Sequence, residues 1–168
     1  MISTIFNRAA ALRVLTRIVG SAVRKVEVIR QLKNRAIQLT YRIGKAVCST
    51  FVSAKAFEQD FESYRREGAS QVEVRRWGAG SYQNHYDCKT EGSDRTHVVK
   101  LMGGIALCSC EDYQKQLDSP RASGDKPICK HAIATLNYLG FDSLQAYIQS
   151  RAAQIEQEER EAIALLGF

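Results

Sequence analysis

No stretch of this 168-residue chain is apolar for anything near the roughly 20 residues that a membrane-spanning helix needs. A transmembrane helix is therefore not expected. Cysteine is scarce too: five residues, an odd number, do not make a disulfide framework. They fit one metal site plus two spare thiols in a reducing, cytoplasmic setting. There is no glycine-rich phosphate loop and no Ser or Cys nucleophile with a recognisable base, so the expectation is a non-enzyme. No acidic residue precedes Glu27, and no aromatic residue lies between Arg8 and Arg35. The first absence makes the N-terminal part strongly basic. The second argues against base stacking on a single strand and, if a nucleic acid is held there, for contact with a duplex backbone.

What is present sets the frame. With 45% hydrophobic and 25% charged residues, the chain has material for one ordinary core and a separate helical element. The net charge of +6 and pI near 9.2 are unevenly spread. Residues 1–66 hold 13 Lys or Arg against Glu27, Glu58, Asp60 and Glu62, a balance of +9, which leaves residues 67–168 at −3. Phosphate contacts need clustered Lys and Arg, so any polyanion footprint falls on the N-terminal part.

The most specific pattern lies further along. Cys108 and Cys110 are one residue apart; after a gap of 18 residues come Cys129 and His131, again one residue apart. Four soft ligands in two pairs are what a closed tetrahedral zinc site requires. Positions i and i+2 on an extended segment leave the same face, whereas in a helix they diverge by about 200°. Each pair is thus expected at a strand end, a tight turn or the start of a helix. Ala132–Leu139 reads as that helix, closed by Gly140. Cys48 and Cys88 lack a nearby ligand partner and are read as packing residues, and His85 and His97 as ordinary strand residues.

The pattern Cys108-x-Cys110, gap, Cys129-x-His131 resembles the SWIM zinc finger, in which a strand hairpin precedes the ligands and a helix follows them. The resemblance covers about residues 70–140 and implies a zinc cofactor and association with DNA or with proteins of DNA-related complexes. Ile128 departs from it, standing between Pro127 and Cys129 where many members place proline against cysteine.

The flanking segments complete the expected architecture, which is α+β. Leu12, Leu15, Val19, Ala22, Val26 and Ile29 recur at spacings of three and four, the seam of a coiled coil or helical hairpin. Gly20 and Gly44 mark bends. Val47, Phe51, Ala54, Phe57, Phe61 and Tyr64 suggest a further helix. The basic first segment allows three readings: a solvated face, a nucleic-acid surface, or a membrane-surface helix. Residues 71–77, 82–88, 96–101 and 105–108, separated by turn-rich segments, read as a small antiparallel β-meander that delivers the first ligand pair from a strand end. Residues 111–127 read as an exposed loop. The tail from Asp142 reads as a capped helix docking its apolar stripe (Leu144, Ile148, Ala152, Ile155, Ala162, Leu165) on the domain.

The expected domains are a basic helical region at 1–67, a zinc finger at 68–141 and a C-terminal helix at 142–168. The expected function is DNA binding through Arg13, Arg17, Arg24, Lys25, Arg30 and Lys33. The alternative is a protein-interaction adaptor that uses the zinc-organised domain and the N-terminal helical seam as surfaces for a partner or a second copy.

Overall fold

The computed structural model describes residues 6–20, 22–32, 36–78, 80–118 and 127–165. The chain is α+β and divides into two compact units, Met1–Arg65 and Arg66–Phe168.

In the first unit, α1 (Arg8–Val19) is followed by three strands, β1 (Val23–Gln31), β2 (Ala36–Ile43) and β3 (Ala46–Ser53), and by the start of α2 (Ala54–Ala69). Asn7 caps α1 by accepting the Ala10 amide at 2.9 Å, and Gly20, at φ +99°, ends it. The strands form an antiparallel sheet in the order β1-β2-β3. Val14 and Leu15 of α1 and Phe57 of α2 share one core with Val23, Val26, Ile37, Leu39, Tyr41 and Val52.

The expected helical seam over residues 12–29 is not formed. Its first half is α1, but Val26 and Ile29 belong to β1, so no coiled coil or helical hairpin exists there to recruit a second copy. The physical reason is two irregularities in the β1–β2 register, between Val23 and Lys25 and between Val26 and Val28. Each bulge inserts a residue and resets the alternation, so buried Val23 and Val26 fall three apart, as on a helix. In the second expected helix, Val47 and Phe51 are exposed residues of β3, and helix begins only at Ala54. Cys48 lies half-buried against the same core.

The second unit is a four-stranded meander, β4 (Val72–Arg76), β5 (His85–Thr90), β6 (Thr96–Met102) and β7 (Ile105–Cys108), paired in sequence order. After it come α3 (Glu111–Asp118), α4 (Lys130–Tyr138) and α5 (Leu144–Leu165). Ala132 and Leu136 of α4 pack on Tyr86, Val99, Leu101 and Ala106 of the sheet. α4 ends in a Schellman motif: Phe141 N–H donates to Leu136 O, Gly140 N–H donates to Asn137 O, and Gly140 takes φ +83°.

Residues 111–118, read as loop, are helix α3, which carries Glu111 and Asp112 in its first turn and buries Tyr113 and Gln116; residues 119–126 lie outside the described residues. α5 is capped by Ser143, whose Oγ accepts the Ala146 amide at 3.1 Å, but only its first turns, with Leu144 and Tyr147, pack on the core. From Arg151 to Leu165 it is exposed, so the apolar stripe docks over a fraction of its length.

One ion cluster fixes the first unit. Asp60 of α2 is fully buried and receives Arg13 Nη2 at 2.7 Å, Arg13 Nε at 3.0 Å and Arg17 Nη2 at 3.0 Å. Arg13 also lies over the Tyr64 ring at 4.2 Å. Replacing Arg13 and Arg17 together by Ala strands a buried carboxylate and is expected to cost about 3–5 kcal/mol. Asp60→Asn releases two partly exposed guanidiniums to water and is expected to cost about 2 kcal/mol. Urea denaturation of the two variants checks this order, and equal losses contradict it.

Candidate metal centre

Two chain segments meet at the interior end of α4. Cys108 is the last residue of β7, opposite Val99 of β6. Ser109 faces the other way, as alternation requires: its Oγ accepts the Val98 amide at 3.0 Å and its own amide donates to Val98 O at 3.1 Å. This anchor returns the next side chain, Cys110, to the face of Cys108. Cys110 immediately precedes α3, and its Sγ accepts the Tyr113 amide at 3.4 Å. Cys129 is the N-cap of α4, and His131 lies in that helix's first turn. Cys110 and Cys129 therefore both stand at the positive ends of helices, where a thiolate is stabilised.

All four side chains are buried, and their Sγ and ring-nitrogen atoms lie within 4.8 Å of one another. A tetrahedral zinc with Zn–S of about 2.3 Å and Zn–N of about 2.0–2.1 Å has ligand-to-ligand edges of about 3.6–3.8 Å. The cluster meets those edges after a contraction of about 1 Å or less, and its donor set, three thiols and one imidazole, is a structural zinc set. His131 Nδ1 faces Cys108 Sγ at 3.9 Å, while Nε2 lies 3.3 Å from Thr90 Oγ1. The ring would thus bind zinc through Nδ1, with Nε2–H donated to the Thr90 hydroxyl, which fixes the tautomer.

Without metal the three thiols share their protons. Cys110 is pulled far down by the hydrogen bonds it receives from Cys108 and then Cys129. Cys108 is pushed up because its hydrogen bonds to Cys110 and Cys129, and then burial, favour the thiol. For Cys129 the bond with Cys108 lowers the pKa, but the bond with Cys110, burial and the Cys110 charge outweigh it and push it up to about 12. One thiolate held by two thiols is the state from which a divalent ion displaces protons.

Residues beyond the four donors hold them in place. The Gln116 side chain clasps the backbone before Cys129: its Nε2 donates to Ile128 O at 3.1 Å and its Oε1 accepts the Ile128 amide at 3.2 Å. α3 is thereby joined to the second ligand pair. His97 lies with its ring 4.6 Å from that of His131, and burial and then the neighbouring His131 push its pKa below the ordinary range. Cys88 is fully buried against Thr135 Oγ1 at 3.3 Å, a packing thiol pushed up to about 11 by burial. Thr90 and Gln116 carry no sequence signal of their roles, which depend on strand register and on the fold of residues 111–118.

The sequence-nominated cations are scattered. Arg13 and Arg17 are engaged by Asp60; Arg24, Lys25 and Arg30 are exposed on β1; Lys33 lies outside the described residues.

Elemental analysis is expected to give one zinc per chain, lost in Cys110→Ser or His131→Ala and kept in Cys48→Ser. Thr90→Val should lower zinc affinity about 10–100-fold without unfolding the protein. Because Cys108 and Cys129 are both raised and must surrender protons on binding, log affinity should climb by about two per pH unit near neutrality. Competition with a chromophoric chelator measures the slope, and a pH-independent affinity contradicts the proton-sharing arrangement.

The family model of the SWIM zinc finger matches residues 97–140, from β6 to the glycine that closes α4. No curated protein and no solved structure matches the chain. The matched segment contains the whole cluster of three thiols and one imidazole, which fits zinc: residues 97–140 are a zinc-binding SWIM finger.

Proposed function

We propose that this protein binds DNA without catalysing a reaction, its first unit supplying the phosphate contacts while zinc stabilises the second. The observation that carries this reading is the division of charge. The unit Met1–Arg65 has 12 Lys or Arg against four acids, and the unit Arg66–Phe168 has 12 against 14. One of the four acids, Asp60, is enclosed by Arg13 and Arg17, which leaves ten Lys or Arg against three acids in the first unit. Clustered cations with so little opposing charge favour a polyanion. A non-catalytic zinc agrees with the donor set, since four protein ligands leave no open coordination position for a reacting molecule.

The adaptor reading draws on a different feature. Ile155, Ile163 and Leu165 of α5 are exposed, at 47%, 55% and 88%. Exposed apolar side chains of this size suit a protein partner, with the zinc finger as the scaffold from which α5 extends.

A salt titration of duplex DNA with the full-length zinc-loaded protein separates the two. DNA binding through about four phosphate contacts predicts that log affinity falls with log salt at a slope of about −4. No binding even at low salt favours the adaptor.

A further inference from the structure

We infer that the outward face of the β1-β2-β3 sheet is the DNA-contacting surface and that it lies in the major groove. This rests on the DNA-binding reading above and gives it a location other than the helices expected from sequence. Alternation along β2 settles which residues face out. Ile37, Leu39 and Tyr41 are buried against the helices of the unit, so Gln38, Thr40 and Arg42 occupy the opposite face. Strand register sets Lys25 beside Arg42, Arg30 beside Gln38, and Ser49 beside Thr40, whose hydroxyls meet at 3.1 Å.

Charge selects the occupant. Among the described residues, Lys25, Arg30 and Arg42 meet one acid on this side of the sheet, Glu27, whose carboxylate accepts Arg42 Nε at 2.6 Å. The other acids of the unit, Glu58, Asp60 and Glu62, belong to α2. A second copy laid on the face would set one group of cations against another. A polyanion meets them with opposite charge.

Size selects the groove. Neighbouring strand axes lie about 4.8 Å apart, so β1 and β2 make a two-stranded ribbon, which the major groove, at about 12 Å, admits and the minor groove, at about 6 Å, does not. The chemistry of the face suits base edges. Gln38, on the central strand, carries the paired donor and acceptor that adenine presents in mirror image, and Thr40 donates or accepts. Phe51 and Val28, 63% and 50% exposed, offer apolar contact for a thymine methyl. Lys25 and Arg30, on the flanking strand, are placed to reach phosphates.

The test uses the full-length zinc-loaded protein and a 20-base-pair duplex with an A·T-rich centre. The wild type is titrated over a salt series, then challenged with methyl green in the major groove or netropsin in the minor groove. Lys25→Gln/Arg30→Gln is compared with Arg8→Gln/Lys55→Gln, whose changes lie on α1 and α2. The expected results are displacement by methyl green but not by netropsin, and a salt slope flattened by about 1.8 in the sheet variant, 0.9 per lost contact. The helix variant should keep the wild-type slope. Displacement by netropsin alone, or equal slopes in wild type and sheet variant, overturns the assignment of the face while leaving DNA binding intact. Failure of the wild type to bind at low salt overturns both.

Discussion

Everything in the second unit is constrained by the need to bring four soft donors, on two segments separated by 18 residues, to one point. β7 must end where α4 begins. The meander fixes one side through the Val99 to Cys108 register and the Ser109 anchor on Val98. The other side is fixed by the N-terminus of α4 and by the Gln116 clasp on Ile128. The apolar contacts of Ala132 and Leu136 with the sheet are made by the helix whose start carries Cys129 and His131, so core packing and ligation stand or fall together. In small fingers zinc contributes on the order of 10–16 kcal/mol of apparent folding free energy, comparable with the whole stability of an ordinary domain.

The first unit is held by other means, a packed core and a buried carboxylate shared by two arginines. This has a functional consequence. Arg13 and Arg17, which count toward the basic character of the N-terminal part, satisfy an internal anion, while Arg24, Lys25, Arg30 and Arg42 are carried by strands. Composition alone cannot make that distinction, because it depends on where Asp60 lies rather than on how many charges there are.

The metal centre was legible because its information is local: two i, i+2 ligand pairs, a following apolar helix and a closing glycine all lie in the sequence. The meander was legible for the same reason, its β-rich segments being separated by turn composition. The N-terminal sheet was not. In β1, bulges at Val23/Lys25 and Val26/Val28 turn an alternating strand pattern into a spacing of three, which imitates a helix. In β3, exposed Val47 and Phe51 happen to continue the period of the true helix that follows. The β-branched run from Val23 to Ile29 and the turn at Gly44 were the contrary signals. α3 was hidden by its polarity: it buries only Tyr113 and Gln116, and the role of Gln116 exists only once Ile128 is beside it.

One zinc couples β7 to α4 and so maintains the second unit, while the first unit stands on its own core. Amide hydrogen exchange of the full-length protein, before and after zinc chelation, tests it most directly. Protection is expected to collapse across β4 to β7 and α4 and to persist in α1 and β1 to β3. Unchanged protection at residues 72–138, or equal loss in both units, would contradict it.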